Sequence, residues 1–254
     1  MPNFTIITVC LNNLEGLKKT YHSIQSQTIQ NYEWIIIDGE SNDGTIDFLK
    51  NLNSSSIYWS SEPDKGLYDA MNKGISLAKG GYIIFLNSGD ELSEGNVLTV
   101  VNDIINNCNP DFIYGDANEK TITGDILHKP AYSHKKVWYG MFTHHQSMFF
   151  KRKTIIDNHI FYNLNFSIAA DYAFVAKVYS ASDSFYYINK TICIFEQGGV
   201  SETHIYKALN EQWEIRRDIL KIPLFSILVI HILHRIKLFI RFSMPFLYKK
   251  LRYK

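Results

Sequence analysis

Tyr32-Glu33-Trp34-Ile35-Ile36-Ile37-Asp38-Gly39-Glu40-Ser41 is the stretch on which the fold turns. A β-rich apolar run over Tyr32–Ile37 stops at an acidic turn, Asp38-Gly39, as a short buried strand does. The same form recurs at Phe4–Leu11, Ile57–Ser60, Tyr82–Leu86 and Asp111–Tyr114. Between these runs the apolar spacing changes to that of a helix. Leu14, Leu17, Tyr21 and Ile24 mark the first, Asp43 stands as N-cap of a second through Leu52, and Leu67–Ala78 and Val97–Ile105 give two more. Strands alternating with helices predict a mostly parallel sheet covered on both faces. Beyond about residue 117 the rhythm changes. Thr121–His128 reads as a hairpin, Ser147–Lys151 as a strand, Asp171–Ser180 as a helix and Phe185–Phe195 as one or two strands.

The composition agrees with one compact unit. The chain has 254 residues, 46% hydrophobic and 20% charged, which excludes disordered and low-complexity classes. Three scattered cysteines build neither a disulfide framework nor a metal knuckle; Cys10 and Cys193, in apolar runs, read as buried free thiols. Met1-Pro2-Asn3-Phe4 lacks the charged and apolar regions of a signal peptide, so a cytoplasmic chain is expected. All 25 Asp and Glu but only 18 of the 26 Lys and Arg lie in residues 1–218, so this body carries −7 and the remaining tail +8. An acidic body argues against nucleic acid as partner.

In open α/β sheets ligands bind beyond the carboxyl ends of the strands. Here those ends are Asn12-Asn13, Asp38 to Ser41, Glu62 to Lys65, Asn87 to Asp90 and Gly115-Asp116. So acidic an edge repels a bare diphosphate, and a nucleotide with a divalent cation is the natural ligand. The turn after the first strand, Cys10 to Gly16, matches neither GxGxxG nor GxxxxGK[ST], which removes dinucleotide-binding and P-loop enzymes.

Three blocks, Thr5–Val9, Ile36–Thr45 and Ser61–Gly74, together with Phe85-Leu86-Asn87-Ser88-Gly89-Asp90, resemble the family 2 glycosyltransferases of the GT-A fold. His144–Phe150, Ala169-Ala170-Asp171-Tyr172 and Gly198-Gly199-Val200-Ser201 continue the likeness, which spans residues 3–201. The resemblance implies a GT-A domain over 1–221, with a nucleotide-binding half (1–117) and an acceptor-binding half (118–221). It implies an inverting transfer of a hexose from a UDP-sugar, with Asp171 as general base. Thr8, Asn12, Asp38, Asp64, Lys65, Asp69 and Asn87 would contact nucleotide and donor, and Asp116 and His145 the acceptor. Asp90 would hold Mg²⁺ or Mn²⁺ against the diphosphate. Asn87 and Gly89 stand where the family often carries carboxylates, so weak affinity for the metal without nucleotide is expected. His204 is a weaker candidate ligand.

Each of these residues also has an ordinary reading: Asp38-Gly39 and Gly89-Asp90 as turns, Asp171 as an N-cap, Asp69 and Asn72 as a polar helix face. The implied acceptor is a lipid-linked saccharide of a bacterial surface polysaccharide. Two other classes stay open: a silent nucleotide-binding or membrane-scaffold protein, and a sugar-nucleotide pyrophosphorylase, which the missing glycine-rich turn disfavours. Residues 222–254 mix apolar and aromatic residues with Lys and Arg. This composition predicts a helix lying on the inner face of an anionic membrane, against the alternatives of a helix packed on the body or on a second subunit and of a helix that spans the bilayer.

Overall fold

The computed structural model describes residues 2–196 and 205–244. Gly198 to Ser201, His204 and the basic residues Lys249, Lys250, Arg252 and Lys254 lie outside them. Nine strands form one sheet: β1 (Phe4–Cys10), β2 (Tyr32–Asp38), β3 (Ile57–Ser61), β4 (Tyr82–Phe85), β5 (Glu91–Leu92), β6 (Phe112–Lys120), β7 (Ile126–Lys129), β8 (Met148–Lys151) and β9 (Phe185–Glu196). Their order is β3-β2-β1-β4-β8-β6-β9-β5, with β7 paired to β6. The first four are parallel. β8 is antiparallel to both β4 and β6, and these two reversals return β6 to the direction of β1. The carboxyl ends of β1, β2, β3, β4 and β6 therefore share one edge, as the sequence predicts.

Period-two alternation divides the core between the two faces. Ile7, Val9, Ile35, Ile37 and Phe85 pack toward α3 (Leu67–Leu77), α5 (Arg152–Asp157) and α6 (Ala170–Ser180). Phe4, Ile6, Trp34, Ile36 and Ile84 pack toward α1 (Leu14–Gln25), α2 (Thr45–Lys50) and α4 (Val97–Cys108). Cys10 and Cys193 are buried free thiols, as expected. Seven of the eleven residues of α6 are buried, the pattern of a helix enclosed on most sides.

Several details differ from the sequence reading. Thr121–His128 is the turn and second arm of a hairpin whose first arm is β6, and the division at 117/118 falls inside that strand. Phe185–Phe195 is one strand, β9, whose register against β6 shifts at Asp116. The two-residue β5 carries no signal of its own and exists by pairing with β9. The N-cap of α2 is Gly44, at φ 96°, not Asp43. Asp43 serves the same turn from one residue earlier, accepting the Thr45 N–H at 3.1 Å and the Leu14 N–H at 2.8 Å.

The last two helices are α7 (Ile205–Asp218) and α8 (Leu224–Ser243). α8 docks on the body through Ile227 and Ile230, both buried, and through two edge-to-face contacts, His234 on Tyr139 and His231 on Trp213. Its other face leaves Phe225, Val229, Ile232, Ile236 and Phe239 exposed. No helix among the described residues is long and apolar enough to cross a membrane.

Candidate active site

The strand ends are tied to one another by their own polar side chains. Asn12 adopts the left-handed conformation, which Asn tolerates, and its Oδ1 accepts the Asn42 N–H at 2.8 Å. Its own N–H donates to Ser41 Oγ at 2.7 Å. Asp38 is fully buried and accepts from Ser41 N–H at 3.0 Å and Ser61 Oγ at 2.6 Å, which joins the ends of β2 and β3. Gly39 lies so close to the next loop that a Cβ there would stand 2.8 Å from Asp64 Oδ2. Asp64 accepts the Gly66 N–H at 2.7 Å, and Asp69 accepts the Lys65 N–H at 3.0 Å. Gly66, at φ 106°, then admits the chain into α3.

Thr8 is the residue this geometry removes from a ligand pocket. It is fully buried; its hydroxyl donates to Leu86 O at 2.7 Å and accepts from Trp34 Nε1 at 2.8 Å. The alternation of β1 puts it on the face of Ile6 and Cys10, which α1, α2 and α4 cover. Asp116 is likewise engaged, accepting from Ala131 N–H at 2.8 Å and the Tyr187 hydroxyl at 2.9 Å, with His128 Nε2 at 3.4 Å. It braces the β6–β7 hairpin.

Asn87 and Asp90 sit in the loop after β4, held to α1 by Thr20, whose hydroxyl donates to Asp90 O at 2.7 Å. The Asp90 carboxylate is buried and receives Gln146 Nε2 at 2.9 Å and the Glu196 N–H at 3.4 Å. Burial and the Glu196 charge push its pKa up to about 7, against these hydrogen bonds. No group of three or more His, Cys, Asp or Glu able to hold a metal occurs among the described residues. Two buried oxygens at this spot, Asn87 Oδ1 and Gln146 Oε1, have no hydrogen-bond partner among the described residues. One carboxylate with neutral oxygens suits a hard divalent cation whose shell is completed by phosphate and water.

Asp171 stands in the first turn of α6, which begins at Ala170; the N-cap is Ala169, with no side-chain bond. Asp171 is therefore not the cap. Its carboxyl accepts the neighbouring Tyr172 N–H at 2.7 Å and its own backbone N–H, and is about one-quarter exposed. Burial, with a contribution from Glu211, raises its pKa to about 6. His145 Nδ1 lies 3.9 Å from Asp171 Oδ2, yet burial lowers the His145 pKa to about 3 and keeps the ring neutral. Its Nε2 is buried, with no hydrogen-bond partner among the described residues. Asp171 lines a cavity of about 330 Å³, together with Tyr139, Met141 and Gln212.

The capping is done by a residue the sequence did not single out. Glu211 of α7 is buried and accepts the N–H groups of Ser167, Ile168 and Ala169 at 3.0, 2.9 and 2.7 Å. These are the amides leading into α6, and together they hold the Glu211 pKa below the usual range despite its burial. One turn further along α7, the buried Arg216 donates to Trp138 O at 3.0 Å and Tyr139 O at 2.6 Å, fixing the opposite wall of the cavity. Glu211 lies more than forty residues from its partners, and no local pattern announces it. Gln146 lies in the His144–Phe150 block, which gave it no role of its own; His144 and Glu119, 2.9 Å apart, form a further pair beside it.

The sequence profile of glycosyl transferase family 2 matches residues 5–169. An uncharacterized glycosyltransferase of Mycobacterium tuberculosis is 32% identical over 203 residues, covering 78% of this chain and 77% of its own length. A PGL/p-HBAD biosynthesis glycosyltransferase of Mycobacterium bovis is 32% identical over 184 residues, 70% of each chain. Among solved structures, residues 1–349 of TarS from S. aureus, in complex with UDP-GlcNAc, superimpose with a TM-score of 0.71. The identity is 15%, and 91% of this chain and 70% of that one are covered. The mannosyltransferase of Pyrobaculum calidifontis in complex with GDP-Man and Mn²⁺ gives 0.64 at 13% identity, over 87% and 65% of the two chains. The fold is thus the GT-A architecture that the motifs implied, and the chain belongs to glycosyl transferase family 2.

Proposed function

We propose that this glycosyltransferase moves a hexose from a UDP-sugar, with inversion, to a lipid-linked saccharide of a bacterial surface polysaccharide, on the inner face of the membrane. The observation that carries the reading is Asp171: a carboxyl raised to about 6, lining a cavity and bonded only to backbone. At neutral pH it is largely ionised, and its proton affinity is higher than that of an ordinary carboxylate, which suits a general base. Asp171 takes the proton of the acceptor hydroxyl as that oxygen bonds to the anomeric carbon and the bond to UDP breaks. The single displacement turns an α-linked donor into a β-linked product. The neutral His145 beside it adds no charge that would hold the base ionised.

On the donor side, the Asn12 and Asp64 loops, braced from below by the buried Asp38, would form the rim for the nucleotide, with the exposed Lys65 beside it. Asp90, with Asn87 and Gln146, would hold Mg²⁺ or Mn²⁺. Such an ion, when bound, neutralises charge on the departing diphosphate. For the tail, the exposed apolar face of α8 and the excess of Lys and Arg after Asp218 support a helix lying in the membrane interface. The reading is tested by screening UDP-sugars for thermal stabilisation with Mn²⁺. At 100 times its dissociation constant the true donor should add roughly 2.7 kcal/mol. If no UDP-sugar raises the melting temperature, the donor assignment is wrong.

A further inference from the structure

We infer that the cavity beneath α8, next to the one holding Asp171, binds the phosphate-bearing end of the acceptor, the diphosphate and first isoprenoid units of a lipid-linked saccharide. This rests on the acceptor class proposed above and gives it a place. The cavity measures about 690 Å³ and is walled by Lys129, Lys136 and Lys237 together with Leu233, Ile236 and Ile240 of α8; among the described residues, none that lines it is acidic. It shares Tyr139, Gly140, Met141 and Lys237 with the Asp171 cavity, so one ligand can occupy both.

Lys129 is committed to Glu119, 3.0 Å away. Phosphate contacts therefore fall to Lys136 and Lys237, both exposed. Lys136 Nζ stands 4.9 Å above the Tyr132 ring, which orients the ammonium without neutralising it. A bare diphosphate would satisfy the lysines and leave the α8 wall unused. A plain hydrocarbon would desolvate two cations with nothing in return. Only an amphiphilic anion answers both walls. Leu233 and Ile236 are about half exposed, so the apolar wall continues onto the outer face of α8, where a lipid chain would pass into the membrane.

The test titrates the full-length protein, held saturated with UDP to close the donor side, with farnesyl diphosphate, farnesol and inorganic diphosphate. Farnesyl diphosphate should bind far more tightly than either fragment. At about 1 kcal/mol per basic residue, Lys136→Ala and Lys237→Ala should each weaken it roughly fivefold, and the double variant about twenty-five-fold. Ile236→Asp, at a half-exposed position, should weaken it at an unchanged melting temperature. Wild-type affinity in the double variant, equal binding of inorganic diphosphate, or full competition by short-chain phosphatidylglycerol would each overturn the inference. UDP titrated alone separates the two failures. A chain that binds UDP but not farnesyl diphosphate refutes this site only, and a chain that binds neither refutes the donor reading as well.

Discussion

Replacing Asp171 with Asn separates a catalytic base from a structural carboxylate, because the two roles predict opposite changes in stability. In the fold the carboxyl titrates near 6 instead of its ordinary 3.8, chiefly through burial. A raised folded pKa means that the native state prefers the protonated group. The stability this contributes is fully present below about pH 4 and is lost as pH rises through 6. At pH 7–8 the ionised Asp171 therefore costs the fold up to about 3 kcal/mol, two pK units at 1.36 kcal/mol each. Asn has the same shape and can still accept the Tyr172 N–H. Asp171→Asn should accordingly melt higher than wild type at pH 7.5, by at most this amount, and equal it near pH 4. Transfer, followed as UDP release with acceptor present, should fall roughly 10²–10⁴-fold. In the wild type, kcat/KM should decline below about pH 6. A variant that melts lower at pH 7.5, or keeps most of its turnover, would refute the assignment, and Asp171 would then be a helix-start residue.

Three further outcomes are expected. Asp90→Ala should abolish any dependence of UDP-sugar affinity on Mn²⁺ in calorimetry, whereas metal-independent binding by the unmutated protein would remove the ion from the reaction. Glu211→Gln should lower thermal stability by about 1.5–3 kcal/mol, since a buried charged acceptor of three N–H groups is replaced by an amide that meets them with one oxygen; a loss below 0.5 kcal/mol would contradict the capping role. Phe225→Glu with Ile232→Glu, on the exposed face of α8, should release the protein from anionic vesicles at low salt without lowering its melting temperature. Unchanged vesicle binding would place the contact elsewhere.

The parallel half was legible because strands buried on both faces appear as unbroken apolar runs, and the residues that end them are the polar loops of the site. The second half was less so, because its elements take their form from distant partners. β5 is two residues that depend on β9, and β9 bends where Gly115 lets the Lys190 carbonyl approach; a Cβ there would stand 2.8 Å from it. Thr8 shows a signal that was present and passed over. It shares its parity with Ile6 and Cys10, so alternation puts it on the face that α1, α2 and α4 cover. The tail packs one face of a 20-residue helix against the body, as its alternative reading expects, and the exposure of its other face is a matter of tertiary contacts that the composition of residues 222–254 does not encode.

The acidic residues of this region differ less in kind than in how many N–H groups each receives. Glu211 takes three backbone amides and stays anionic although it is buried, so it serves as a fixed cap. Asp171, in the first turn of the helix whose entry Glu211 caps, is buried with only the Tyr172 N–H and its own to offset the loss of water, and its charge is harder to maintain. The two are coupled, because the permanent charge on Glu211 is part of what raises Asp171. The cap therefore does more than start a helix: it raises the proton affinity of the carboxyl that the helix presents. Glu211→Gln removes that charge, so the acid limb of kcat/KM should move to lower pH even as the protein loses stability. A residue that merely held the loop would lower kcat without displacing the limb, and the direction of that shift distinguishes the two roles.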